Sequence, residues 1–210
     1  MKTKSVNHAL PIHAGRPNRQ SQDGFSLIAT LILLVVVTIL GVGSSQMVLL
    51  AEKSTRFQRD SQIAFQAAEA ALIDAEFDIR GPNTSTASRT STFVTGSVVG
   101  FVDGCGTGVS KGLCTPAAAG TKPVWYTVNF QDESTNATTV KFGEFTGRSL
   151  STGTSGIRSE MPPRYIIEVI PDGTPGTNAT TKPTLYRVTA MGFGPRKSTQ
   201  AVAQMIFRKE

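Results

Sequence analysis

The most constraining feature of the chain is an uncharged stretch, residues 25–51, which follows a basic leader and precedes an amphipathic segment. Its sequence is FSLIATLILLVVVTILGVGSSQMVLLA, and the nearest charged residues are Asp23 before it and Glu52 after it. A helix of this length exceeds the hydrocarbon thickness of a bilayer, which is about 30 Å. The stretch can therefore span a membrane once, and we expect membrane lipid around it.

A small residue, Gly24, stands before this stretch, whereas a cleavable secretory signal carries its small-residue site after a shorter apolar core. Asp23-Gly24 followed by the letters FSLI resembles the class III signal of type IV prepilins, in which a prepilin peptidase cleaves after the glycine. The resemblance implies that residues 1–24 are a leader and that Phe25 becomes the mature terminus, with a methylated amine. An ordinary single-span protein with an uncleaved anchor is the alternative.

The distribution of charge predicts the orientation of the span. The leader carries half of the formal net charge of +6, from four basic residues and one acidic residue, Lys2, Lys4, Arg16, Arg19 and Asp23. Basic residues beside a span stay in the cytoplasm. We therefore expect an inner-membrane, single-pass protein whose residues beyond Glu52 are periplasmic. The net charge of the chain after the leader is too near neutral to indicate nucleic-acid binding.

Residues 52–80 have the composition and periodicity of an amphipathic helix that ends at Gly81-Pro82. Five apolar residues recur at spacings of three and four, which places them on one face: Phe65, Ala68, Leu72, Ala75 and Ile79. The sequence thus predicts one long helix over residues 25–80, apolar all round in its first half and packed on a domain by one face in its second. Three acidic residues are expected on the solvated face, namely Asp74, Glu76 and Asp78.

Residues 81–210 are rich in Ser, Thr, Gly and Pro, with short strand-like segments between them. We predict strands at Val124–Phe130, Val140–Phe145, Arg164–Ile170, Leu185–Phe193 and Ala201–Phe207. Gly194-Pro195-Arg196-Lys197 predicts a hairpin turn. The expected fold class is α+β, a pilin-like arrangement in which the long helix packs on a small antiparallel periplasmic sheet.

The two cysteines, Cys105 and Cys114, lie in a glycine-rich segment. Outside the inner membrane the compartment is oxidising, so we predict a structural disulfide. The chain-entropy model gives such a loop roughly 2 to 3 kcal/mol. Free thiols or a catalytic pair are the alternatives. The two histidines, His8 and His13, lie in the leader, so we expect no catalytic residues, no metal site, no cofactor and no enzyme activity.

Longer segments narrow the resemblance. LILLVVVTILGVGSSQM and AFQAAEAALIDAE look like the N-terminal region of PilX-type minor pilins, and PPRYIIEVI and YRVTAMGFGPRKSTQAVAQMIFRK resemble the closing strands of that group. The resemblance implies a minor pilin that helps prime type IV pilus assembly at the pilus tip. It also implies partners, namely prepilin peptidase, an N-methylase, other minor pilins, the major pilin, the pilus assembly machinery and an adhesin-like tip protein. Roles in cell adhesion and twitching motility follow indirectly.

The fifth residue of the predicted mature chain is Ala29, where most pilins carry glutamate. In the family that carboxylate is thought to pair with the terminal amine of the subunit ahead. Ala29 has no charge to offer, whereas the Phe25 amine can still receive the glutamate of the next subunit. Our hypothesis is therefore that the chain occupies the first, tip-most position. A type II secretion minor pseudopilin and an unprocessed membrane-anchored binding module are the alternatives.

Overall fold

The structure, a computed structural model, describes residues 25–93, 97–153, 157–170 and 184–209. Contacts divide the chain into two compact units, with the boundary between Ala51 and Glu52. The predicted leader and Gly24 lie outside the described residues. Helix α1 (Phe25–Arg80) contains both the apolar and the amphipathic predicted halves and ends directly before Gly81. By length and composition it is apolar enough to cross a membrane, and its most apolar window has no buried residue.

Within the described part of the chain, one sheet of five strands forms the centre of the second unit. The strands are β1 (Leu113–Cys114), β2 (Val140–Lys141), β3 (Arg164–Ile170), β4 (Thr184–Phe193) and β5 (Gln200–Lys209). β3, β4 and β5 are antiparallel neighbours, with Tyr165 opposite Ala190 and Val188 opposite Met205. β1 pairs parallel with β3, and β2 pairs antiparallel with β3. The predicted α+β class is confirmed.

The second half of α1 packs on one face of this sheet through small side chains. Its buried residues are Asp60, Ala64, Ala67, Ala68, Ala71, Asp74, Ala75, Asp78 and Ile79. Gly192 of β4 lies directly against the helix, where an added β-carbon would approach backbone atoms of Ala64, Ala67 and Ala68 more closely than 3.0 Å. The predicted face is correct at Ala68, Ala75 and Ile79. It is wrong at Phe65, which is 48% exposed, because the sheet approaches the alanine side of the helix.

A second cluster of buried residues lies on the opposite face of the sheet. It contains Ile166 of β3 and Phe193 of β4, covered by Cys105, Cys114, Val124, Phe130 and Met161. The predicted strand Val124–Phe130 is wrong, because helix α2 (Val124–Thr127) makes a single turn there after Pro123. Val124 and Phe130 are buried in this cluster, so the segment covers the sheet and does not extend it.

The predicted strand Val140–Phe145 is correct only for its first two residues. After Lys141 the chain turns, and Gly143 takes a left-handed conformation with φ of 80°. A carboxylate of the helix fixes this turn, since Asp74 accepts hydrogen bonds from the Gly143 amide at 2.8 Å and the Thr146 hydroxyl at 2.5 Å.

The turn 194–199 between β4 and β5 agrees with the predicted hairpin turn, because the Gly194 amide donates to the Thr199 carbonyl at 2.8 Å.

Candidate assembly surfaces

The first candidate surface is the apolar half of α1 around Ala29. Ala29 is exposed and lines two shallow grooves whose other walls include Ile28, Leu33 and Val37. No charged residue lies between Ser26 and Ala51. Exposed apolar surface of this extent requires lipid or other apolar helices as its surroundings.

The hydroxyl groups of this half are engaged within the helix itself. The Thr30 hydroxyl donates to the Leu27 carbonyl at 2.9 Å, and the Thr38 hydroxyl donates to the Val35 carbonyl at 2.8 Å. Ser44 and Ser45 bond in the same way to carbonyls four residues earlier. The hydroxyl of Thr30, the residue beside Ala29, is therefore already committed to a backbone carbonyl. The surface around Ala29 packs by shape and offers no carboxylate to a neighbouring amine.

A buried ion pair joins the second half of α1 to the chain that follows it. Asp78 is fully buried, and the Arg89 guanidinium donates to its carboxylate from Nη2 at 2.7 Å and from Nε at 3.1 Å. Arg89 Nη1 also donates to the carbonyls of Val109 at 2.8 Å and Lys111 at 2.6 Å. The Tyr165 hydroxyl donates to Asp78 at 2.9 Å. One aspartate thus fixes the loop after the helix and the central strand β3 together.

The environment of Tyr165 makes its ionisation unfavourable. Burial raises the pKa of Tyr165 well above its ordinary value of 10.0, and the charge of Asp78 acts in the same direction. A raised pKa in the folded state means that its contribution to stability is present below pH 10 and is lost as the pH rises further.

We therefore expect the free energy of unfolding to fall above about pH 10, by up to about 1.4 kcal/mol per pH unit. Tyr165→Phe should make this slope shallower, with the remainder coming from Tyr186, which is also fully buried, whereas Tyr126→Phe should keep the slope because Tyr126 is 64% exposed. Chemical unfolding of the full chain in detergent, followed by Trp125 fluorescence between about pH 8 and about pH 11, measures the slope. A wild-type slope in Tyr165→Phe would contradict the assignment.

The predicted cysteine pair is joined in the structure, and Cys105 and Cys114 are both buried. Cys114 ends β1 and stands opposite Glu168 of β3. Glu168 is also fully buried, and it accepts two hydrogen bonds from Arg187 at 2.9 and 2.7 Å. This bond to Glu168 raises the pKa of Arg187. The disulfide joins Cys114 of the sheet to the Cys105 loop within the buried cluster on the face away from α1.

The predicted site residues belong to different parts of the chain. Phe25 and Ala29 belong to the first unit, Cys105 and Cys114 belong to the second, and Gly24 lies outside the described residues. Among the residues that the structure describes, no group of three His, Cys, Asp or Glu side chains is placed to hold a metal ion.

Sequence reasoning missed two buried carboxylates. Asp74 and Asp78 were expected on the solvated face of the helix, and both are fully buried. Asp74 lies three residues after Ala71, and Asp78 lies seven residues after it, on the face that packs on the sheet. Their spacing from the alanines was the available signal. Glu76 is partly exposed and pairs with Arg80, four residues later in the chain, at 2.8 Å.

These features define a class of protein, a subunit with a membrane-type apolar helix that continues into a helix-on-sheet domain. Two family descriptions match the chain, "PilX N-terminal" over residues 23–72 and "Type IV pilus assembly protein PilX C-term" over residues 110–209. The chain belongs to the PilX family of type IV pilus minor pilins. Comparison with curated proteins and comparison with solved structures give no match.

Membership of this family has direct consequences. The chain is a structural component of a pilus, of a family that is not an enzyme family. It is anchored in a membrane through its N-terminal helix and is associated with the pilus. It interacts with other pilus components. The surfaces described above are those available for such interactions.

Proposed function

We propose that the chain is cleaved by prepilin peptidase between Gly24 and Phe25, is inserted in the inner membrane with residues beyond Glu52 in the periplasm, and primes pilus assembly from the tip. Its partners in this proposal are other minor pilins, the major pilin, the assembly machinery and an adhesin-like tip protein. The observation that carries the proposal is the surface at Ala29, which is uncharged and has its neighbouring hydroxyl bonded internally. Methylation of Phe25 belongs to the same proposal.

The tip position is inferred from a contact between two groups, the carboxylate near the fifth residue of one pilin and the terminal amine of the pilin ahead of it. A pilin that joins beneath another presents a carboxylate near its fifth residue to the amine ahead, and a buried carboxylate is costly in lipid unless it is paired. Ala29 cannot make this contact. The Phe25 amine of the cleaved chain can still donate to a carboxylate of the next subunit. The chain can therefore bind the subunit that follows it, but it lacks the carboxylate needed to bind a subunit ahead of it. This combination favours the first position in a fibre.

Intact-mass analysis tests the processing step. The full chain is purified from membranes of a host that carries prepilin peptidase, and we expect it to have lost residues 1–24 and gained one methyl group. Gly24→Leu, which removes the small residue before the bond, is expected to retain the leader. A wild-type chain that keeps the leader would overturn the proposal in favour of an unprocessed membrane-anchored module.

A substitution at Ala29 tests the tip position. Ala29→Glu supplies the missing carboxylate, and we expect labelled protein to spread from the pilus end along the shaft, because the variant can now join beneath another subunit. Ala29→Gln matches the size of the new side chain without its charge and is expected to stay at the tip. Immunogold labelling of sheared pili measures both. Tip-only labelling of Ala29→Glu, or shaft labelling of the wild type, would contradict the tip assignment.

A further inference from the structure

A groove of about 460 Å³ lies at the start of the second unit, between α1 and the turn that joins β4 to β5. Its helix side is formed by Lys53, Arg56, Phe57 and Asp60, and its turn side includes Arg196. We call this the juxtamembrane groove. Three of these residues are basic and one is acidic, and the proposed function uses none of them. A groove of this kind indicates an anionic ligand.

The acidic residue of the groove, Asp60, already pairs with arginine side chains. Asp60 is buried, and its carboxylate lies 3.3 Å from Arg59 and 3.6 Å from Arg196. The Arg196 side chain is nevertheless 75% exposed, and that of Arg56, paired with Glu52, is 68% exposed. Guanidinium groups held beside a groove with their edges in solvent are suited to the oxygens of a phosphate group. Ser198 and Thr199 line the same groove.

The position of the groove, just after the membrane-spanning stretch, agrees with a phosphate that belongs to a lipid headgroup. The uncharged stretch ends at Ala51 and is long enough to cross the hydrocarbon of a bilayer, which is about 30 Å thick. Lys53 follows that stretch by two residues and is therefore close to the headgroups. Phe57, one turn further on, is 70% exposed beside the basic residues. An exposed ring beside basic groups is typical of a surface that lies at the boundary of headgroups and acyl chains.

Membrane topology does not explain these basic residues. Lys53, Arg56 and Arg59 follow the span within nine residues, on the side predicted to be translocated, and basic residues there oppose the charge asymmetry that orients a span. We propose that the juxtamembrane groove binds the phosphate headgroup of an anionic phospholipid in the leaflet on the domain side. The bound lipid holds the domain at the bilayer before the subunit enters a fibre. This inference rests on the membrane-anchored state in the proposed function, and on neither cleavage nor tip location.

Lipid retention by the full chain tests the proposal. The protein in non-ionic detergent is mixed with equal amounts of phosphatidylglycerol and phosphatidylcholine, and native mass spectrometry counts the lipids that stay bound. We expect preferential retention of phosphatidylglycerol. The triple variant Lys53→Gln, Arg56→Gln and Arg196→Gln should lower the apparent affinity about fivefold for each basic side chain removed.

A matched control carries Lys122→Gln, Arg158→Gln and Arg208→Gln, which removes the same charges from exposed positions outside the groove. It is expected to retain the lipid as the wild type does, as is the charge-keeping variant Lys53→Arg, Arg56→Lys and Arg196→Lys. Thermal unfolding of each variant establishes that the domain is folded.

Three results would overturn the proposal: equal retention of both lipids by the wild type, equal loss in the control, or unchanged retention in the groove variant. Displacement of the lipid by an equal concentration of inorganic phosphate would identify a free ion as the ligand and would also overturn it. Because the assay is performed on the chain with or without its leader, its failure is distinguishable from failure of the processing test.

Discussion

Gly192→Ala is expected to lower the free energy of unfolding of the second unit by about 3 kcal/mol, at the upper end of the usual range for overpacking. The added methyl group would meet the Ala64 carbonyl oxygen, the Ala67 carbonyl carbon and the Ala68 amide nitrogen, all within 3.0 Å. These are backbone atoms, so no side-chain rotation relieves the contact and the helix must move away from β4. Chemical unfolding in detergent, followed by the fluorescence of Trp125, the single tryptophan, measures the loss.

The control for this prediction is Gly43→Ala, which adds the same methyl group at a helix position where nothing beyond the adjacent helix backbone lies within 4 Å. It should leave the unfolding of the second unit unchanged, within about 0.5 kcal/mol. A loss below about 1 kcal/mol for Gly192→Ala would mean that helix and sheet do not approach at backbone distance.

Arg89→Met is expected to cost about 3–5 kcal/mol, because it leaves the Asp78 carboxylate buried without its cation. The substitution also removes the donor to the carbonyls of Val109 and Lys111, so the loop after the helix should become accessible to protease. Unfolding in denaturant measures the first effect, and limited proteolysis of the folded protein measures the second.

The double variant Asp78→Asn with Arg89→Met separates the two contributions. Removing the charge of Asp78 should recover a large part of the lost stability, because no buried charge is then unpaired, whereas the loop carbonyls remain without their donor. Protease sensitivity should therefore persist in the double variant while stability recovers. If the double variant is less stable than Arg89→Met, the cost does not arise from an unpaired carboxylate.

The elements that could be predicted from sequence are those whose signal is local. Helix α1 follows from its uncharged run and its stop at Gly81, and β3, β4 and β5 follow from their apolar bursts and the turn after Phe193. The Val124–Phe130 segment has equally clear alternation and is not a strand. Val124 and Phe130 are instead buried against Ile166 and Phe193, which lie far along the chain, and local alternation carries no information about such partners.

The buried carboxylates could not be predicted because their partners are distant in sequence. The Asp78 side chain is bonded to Arg89 and Tyr165, which follow it by 11 and 87 residues. Asp74 is bonded to Gly143 and Thr146. An acidic residue in an amphipathic helix is ordinarily solvated. A buried carboxylate is stable only when donors such as these bond to it, and helical periodicity carries no information about donors that are distant in sequence. Cleavage at Gly24 and the role of Ala29 remain predictions.

The internally bonded hydroxyls of the apolar half of α1 have a consequence for how the subunit is oriented among its neighbours. From Leu27 to Ser45 every polar side chain donates to a carbonyl of its own helix, as Thr30, Thr38, Ser44 and Ser45 do. The side chains of this segment therefore give a neighbouring subunit shape to pack against and no side-chain donor to bond to. Directional polar contacts between subunits are left to residues outside the segment, above all the charged and polar groups after Glu52.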